Sequence, residues 1–227
     1  MIYVLHHQEW PRKLKEKFDN FVPTTKEEAG SSWSSFTGKD DLASNLKYIQ
    51  KGLCAYCEIK INDPLIGYHL EHIKPKSKFN NKTFDYPNII LSCFSSDNLN
   101  SKDPSISCGH HKLSNFDENL FISPINQNCN DYFDYDLLGK IKPKNGLDAN
   151  DIAKVTYTID LLNLNSLRLV RKRNEIIDEG FKIIKELQSD IESLDNFLKL
   201  EFEILNNEYI FSFINLRKQY FEELIDS

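Results

Sequence analysis

What the 227 residues lack is the first guide to them. No apolar run approaches the roughly 20 residues that a membrane helix needs. The N-terminus, MIYVLHHQEWPRKLKEKF, has no basic stretch followed by a long apolar run, so it does not read as a secretion leader. No G-x-x-x-x-G-K-S/T run occurs, so any nucleotide dependence would have to come from a partner. Internal repeats and low-complexity tracts are missing too. With 40% hydrophobic and 12% aromatic residues, collagen-like, mucin-like and wholly disordered chains are excluded. Positive charge is also short: 28 Lys+Arg against 34 Asp+Glu leave a net of −6. Taken whole, that balance argues against a nucleic-acid partner.

Taken locally, it does not. Residues 1–147 carry 18 basic and 18 acidic groups, and residues 174–227 carry 5 and 13. Between them lies a basic segment with Arg168, Arg171, Lys172 and Arg173. The pattern is a neutral body, a basic segment and an acidic tail.

The period and composition suggest an α+β, mainly helical chain in four stretches. Residues 1–52 form an N-terminal helical segment. It holds one helix near 11–20, a loop over the Pro/Thr/Ser/Gly-rich stretch 22–38, and a helix that starts at Asp40 and Asp41 and stops at Gly52. Residues 53–115, rich in Cys, His, Asn, Pro and Ser, read as short strands and loops without a large apolar core. Residues 116–147 are a loop-rich connector with aromatics. Residues 148–227 read as long helices: no proline follows residue 150, and Ile177, Ile184, Ile191, Leu198 and Leu205 recur every seven residues. That stripe suits either an amphipathic hairpin packed on the body or a docking face for a partner helix.

Five cysteines are present, an odd number, and two stand as Cys54-Ala-Tyr-Cys57. This argues for a reducing compartment, the cytoplasm, and for a metal site, not for disulfides. Two thiolates so spaced converge on one tetrahedral ion, and Cys93 and Cys108 are the natural second pair for a structural Zn²⁺. The polar run between them can loop out. A redox C-x-x-C is the rival reading, but the residues before it end a helix. Cys129 stands alone as a buried thiol.

Glu71-His72 and then Asn88 lie between the cysteine pairs, and His110-His111 follows Cys108. Such a set suits metal-assisted phosphodiester hydrolysis. His72 can accept a proton from water near neutral pH. Glu71, with a neutral imidazole from His110 or His111, can hold a hard divalent ion such as Mg²⁺ or Mn²⁺. The side-chain amide of Asn88 can fix the loop that bears His72. In a regular strand Glu71 and His72 point to opposite faces, so the chain must bend near Pro75 for both to serve one site. His69 reads as a wet surface residue. Lys74, Lys76, Lys78 and Lys112 suit contacts with phosphate.

Cys54-x-x-Cys57, Glu71-His72-Ile73-x-Pro75, Asn88-Ile89, Cys93 and Cys108-x-x-x-Lys112 resemble the zinc-stabilised HNH endonucleases of the ββα-metal (His-Me finger) type. CAYCEIKI, LEHIKPKS, SPINQNCNDYFDYDLLGKIKP and TIDLLNLNSLRLVRKR further resemble the PtuB family, HNH subunits of Septu anti-phage systems and of retron-associated effectors. The resemblance spans about residues 50–175. It implies His72 as general base, Glu71 as ligand of the catalytic ion, Asn88 as the brace and the four cysteines as zinc ligands. It also implies a PtuA-like ATPase partner of the ABC/SMC type, and in retron-linked members a reverse transcriptase and its RNA–DNA product. DNA is the preferred substrate and RNA the alternative, while a non-catalytic zinc-stabilised adaptor is the reading outside enzymes. The chain departs from the pattern in one place. Counting back from Lys112, the usual asparagine falls on Gly109, so His110 or His111 must replace it.

Overall fold

The computed structural model describes residues 1–62, 66–96 and 103–222. Three helices open the chain: α1 (Arg12–Asn20), α2 (Lys26–Ser34) and α3 (Lys39–Ile49). The first and third follow the sequence reading. Asp40 and Asp41 occupy the first turn of α3, and Gly52 (φ 73°) follows its end in the left-handed region. Leu42 and Leu46, four residues apart on one face, are fully buried. Burial of this kind is worth about 1.5–3 kcal/mol per leucine.

Helix α2 corrects the expectation of a loop over 22–38. Thr25 caps it, its side chain accepting from the Glu28 backbone N–H at 3.1 Å. Glu28 reaches back to accept from the backbone N–H of Thr24 at 2.8 Å. The serines and the glycine that suggested a loop are carried by this capping pair. Helix α2 thus presents Trp33 to the rest of the molecule.

Strands β1 (Tyr68–His72) and β2 (Ile89–Cys93) pair antiparallel, with Tyr68 opposite Cys93 and His72 opposite Ile89. All five residues of β2 are buried. It is an apolar run covered on both faces, and β1 is its partly exposed neighbour. A four-residue helix, α4 (Gly109–Lys112), lies against this hairpin: the backbone N–H of Gly109 donates to Ser92 Oγ on β2 at 3.0 Å. The stretch 53–115 is also richer in core than its composition suggested. Leu53, Tyr56, Ile59, Ile73, Phe84 and Tyr86 are all buried.

A second hairpin joins β3 (Phe133–Tyr135) to β4 (Ile141–Pro143). Helices α5 (Ala149–Leu161), α6 (Leu167–Leu187) and α7 (Ile191–Glu201) follow, then the short pair β5 (Ile204–Leu205) and β6 (Glu208–Tyr209), then α8 (Ile214–Phe221). Helix α8 is bolted to β3 by Gln219, whose side chain accepts from the Tyr135 N–H and donates to its carbonyl, both at 2.8 Å. The seven-residue repeat does not run along one helix, because the chain breaks at Gln188–Asp190. Ile191 opens α7 81% exposed, Leu205 is also exposed, and Ile177 and Leu198 are buried. The stripe is thus divided between buried and exposed positions. Buried residues from every stretch, Met1 through Leu216, form one core cluster. Among the described residues no helix is long and apolar enough to cross a membrane.

Candidate active site and metal centre

The four expected cysteines meet. Cys54, Cys57, Cys93 and Cys108 are buried and free, and their sulfurs all lie within 4.8 Å of one another. Two separations are 3.8 Å (Cys54–Cys108) and 3.7 Å (Cys57–Cys93). Four thiolates at about 2.3 Å from a tetrahedral zinc stand about 3.8 Å apart, so this donor set fits the ion closely. The backbone is shaped for it. Glu58 N–H donates to the Cys54 carbonyl at 3.0 Å, and Cys93 N–H donates to Cys54 Sγ at 3.3 Å. The turn requires Glu58 in the left-handed region (φ 64°). Its buried carboxylate is held there by the Met1 amine at 2.5 Å and by Asn215. Part of the run between Cys93 and Cys108 lies outside the described residues. Cys129 is buried away from the cluster, accepting no role in it, and burial pushes its thiol up to about 11.

Beside the cysteine cluster, β1, α2 and α4 line a cleft of about 620 Å³ that includes Trp33, His69, Glu71, His72, Lys76 and His110. His72 ends β1 and is 5% exposed. Its Nε2 lies 2.9 Å from the Thr83 carbonyl. A carbonyl can only accept, so Nε2 carries the proton and a neutral ring keeps its lone pair on Nδ1. Trp33 meets the ring edge-on, with centroids 4.5 Å apart. Burial, and then the Lys76 charge, push the His72 pKa down to about 4. The ring is therefore neutral at pH 7, as a proton acceptor must be.

Asn88 stands at the end of the loop that leaves β1. It accepts from Lys74 N–H at 2.8 Å and donates to the carbonyls of Lys74 at 3.1 Å and Lys82 at 3.0 Å. All of its polar atoms go into holding that loop.

Glu71 and His72 do point to different neighbours, as strand geometry demands, yet both reach the cleft. Glu71 Oε1 pairs with Lys112 Nζ at 2.8 Å, and Oε2 lies 3.5 Å from His69 Nε2. Burial alone would raise the Glu71 pKa. Its contact with His69 and the charge of Lys112 outweigh that and hold the carboxyl below the usual range. His110 packs against His69, with centroids 3.9 Å apart and ring planes 39° apart, and its Nε2 is buried with no partner among the described residues. Burial, and then His69, push it down to about 4, leaving the neutral imidazole that ligates metals. The chemistry of Glu71 and His110 thus fits a divalent ion. His111 does not join them: it is exposed and its Nδ1 donates to the Leu161 carbonyl at 2.9 Å.

Two expectations need correction. Lys112 was expected to touch nucleic acid but is fully buried, donating to the His72 carbonyl at 3.1 Å as well as pairing with Glu71. A buried ammonium reaches no phosphate, and its work is to balance Glu71. Arg173, in the basic segment, is also buried; it donates to the Leu164 carbonyl at 2.9 Å and lies over the rings of Tyr135 and Phe213. Of the expected lysines, Lys76 lines the cleft, Lys78 is exposed, and Lys74 pairs with Glu118. His69, set aside as wet surface, lies inside the site. The signal was its place two residues before Glu71, which puts both on one face of a strand.

The chain is 32% identical over 165 residues to the "Retron Vc95 putative HNH endonuclease" of Vibrio cholerae serotype O1 biovar El Tor, covering 71% of this chain and 76% of that protein. No family profile matches. The cysteine cluster, which could hold a metal ion, stands beside a cleft lined by histidines and a carboxylate. With this relative, the chain belongs to the family of HNH endonucleases.

Proposed function

We propose that the chain is a metal-dependent HNH endonuclease that hydrolyses phosphodiester bonds in nucleic acid. The observation that carries this reading is His72, fixed by the Thr83 carbonyl so that Nδ1 is its free, unprotonated nitrogen, in one cleft with Glu71 and His110. The strand pair β1–β2 with α4 is read as the ββα-metal core, folded around a structural zinc on Cys54, Cys57, Cys93 and Cys108.

In the mechanism, His72 Nδ1 takes a proton from the attacking water, and Thr83 and Asn88 hold the ring and its loop in place. Glu71 and His110 would hold a Mg²⁺ or Mn²⁺ ion, which would supply charge stabilisation on the phosphate and the leaving oxygen. Lys112 offsets the Glu71 charge while the site is assembled. Contact with backbone phosphate is assigned to Lys76, which lines the cleft, and to exposed Lys78.

DNA is the preferred substrate, with RNA as the alternative. The retron named for the relative supports an anti-phage setting, with a reverse transcriptase and its RNA–DNA product as partners. The resemblance to PtuB supports a PtuA-like ATPase, docked on the helical region 148–227, and free thiols suit the cytoplasm. The deciding experiment compares the chain and its His72→Ala variant, with and without that ATPase, on plasmid, single-stranded DNA and RNA with Mg²⁺ or Mn²⁺. Cleavage by the chain, lost in a His72→Ala protein of unchanged zinc content, is the expected result. Full cleavage by that variant would overturn the assignment.

A further inference from the structure

Gly109 stands where the family pattern has a side chain, and the structure gives the reason for the glycine. A Cβ built on it would lie 2.6 Å from His69 Nε2 and 2.7 Å from the Glu71 carboxyl carbon and Oε2. These are closer than carbon atoms tolerate. Its backbone φ lies outside the left-handed region, so chain geometry does not call for glycine here. The space is already filled, and the ring that fills it is His69.

The orientation of that ring matters. His69 Nδ1 lies 2.8 Å from the Phe94 carbonyl, so Nδ1 carries a proton donated to it. Metal-bound histidines are held in this way, the far nitrogen donating to a backbone carbonyl so that the near one presents its lone pair. Here the near atom is Nε2, 3.5 Å from Glu71 Oε2. The other Glu71 oxygen belongs to Lys112, so Oε2 is the one facing the cleft side. At that distance a positive charge must stand between the ring nitrogen and the carboxylate oxygen, either a proton on Nε2 or a metal ion. The Nε2 of His110, on the ring packed against His69 and without a partner among the described residues, adds a third donor atom nearby.

We propose that His69 is a ligand of the catalytic divalent ion, and that Gly109 is bare so that the β1 imidazole can stand in place of the missing side chain. The inference rests on the reading of Glu71 as a ligand of that ion.

The test is Mn²⁺ binding to the zinc-loaded protein, followed by electron paramagnetic resonance and calorimetry, and not by cleavage alone. His69→Asn retains a donor near Nδ1 for the Phe94 carbonyl but has nothing at Nε2. His69→Gln places a polar atom near Nε2. The expected result is at least a tenfold loss of Mn²⁺ affinity for His69→Asn at unchanged zinc content, with partial recovery in His69→Gln. Gly109→Ala should also weaken Mn²⁺ binding, since its methyl displaces His69. A Mn²⁺ affinity equal to wild type in His69→Asn, while Glu71→Gln loses binding, would overturn this inference alone. Wild-type affinity in both variants would remove the reading of Glu71 as well. A proton in place of the metal, giving a plain His69–Glu71 ion pair, corresponds to the first of these outcomes.

Discussion

Lys112 Nζ stands 2.8 Å from Glu71 Oε1, with the lysine side chain fully buried and the carboxylate 12% exposed. Removing one partner of such a pair leaves the other charge in low dielectric without its match. That is the expensive direction, at about 3–5 kcal/mol. Lys112→Met should therefore destabilise the chain by about 3 kcal/mol or more in urea unfolding. Adding Glu71→Gln should recover much of the loss, because the orphaned charge goes too. A Lys112→Met protein as stable as wild type would mean that the pair is not formed.

His72 makes stability depend on pH with a definite sign. Its folded pKa is about 4 against 6.5 for the free side chain. Between those values the unfolded chain binds the proton and the folded chain refuses it. Stability is full above about pH 6.5 and drains away as pH falls toward 4. Between pH 7.5 and 5 the wild type should lose about 2 kcal/mol more than His72→Gln, whose side chain does not titrate. Thiolate protonation at the cysteines affects both proteins, so the difference isolates His72. Parallel pH profiles in urea titrations would sink the claim.

How much could be read from sequence depends on how local each signal was. Cysteines are chemically unmistakable, and their pairing needed only the idea of a tetrahedral ion, so that group came through intact. Asn88, singled out from the ordered set, does bond by its side chain to Lys74, two residues after His72. His69 did not stand out. A lone histidine near a glutamate usually marks solvated surface, and only the period of two along β1 ties it to Glu71. Lys112 was misplaced because charge predicts exposure until a partner is known. Helix α2 was hidden by a composition of Ser, Gly and Thr that its Thr25–Glu28 cap overrules. The heptad spanned a helix break at Gln188–Asp190, which spacing alone does not reveal.

The cysteine cluster should behave as a folding element. Four buried thiols brought within 4.8 Å of one another are a site that the unfolded chain lacks, so the binding energy of the ion becomes folding energy. Cys57→Ser should lose zinc and soluble protein together, and a strong chelator should unfold the wild type as seen by circular dichroism at 222 nm. Cys129→Ser is the control. It is equally buried but outside the cluster, and its zinc content should match wild type. A metal-free Cys57→Ser protein with wild-type melting would refute this role.

Gly180 poses the sharpest conflict between a local rule and its surroundings. It lies inside α6, where alanine should be better than glycine by about 1 kcal/mol. Yet a Cβ there would sit 2.3 Å from Cζ and 2.8 Å from Cε1 of Phe221 on α8. Phe221 is fully buried, and Phe181 packs against its ring with centroids 6.1 Å apart, so the ring has little room to retreat. Overpacking of this kind costs about 1–3 kcal/mol and should win over propensity. Gly180→Ala should lower stability by about 1 kcal/mol net. Paired with Phe221→Leu, which frees the space, the same alanine should cost less than it does alone. That coupling, measured as a double-mutant cycle in thermal unfolding, separates contact from propensity. If Gly180→Ala stabilises the chain, α6 and α8 are not packed at this point, and the anchoring of the C-terminal helices onto β3 must come from Gln219 and Tyr220.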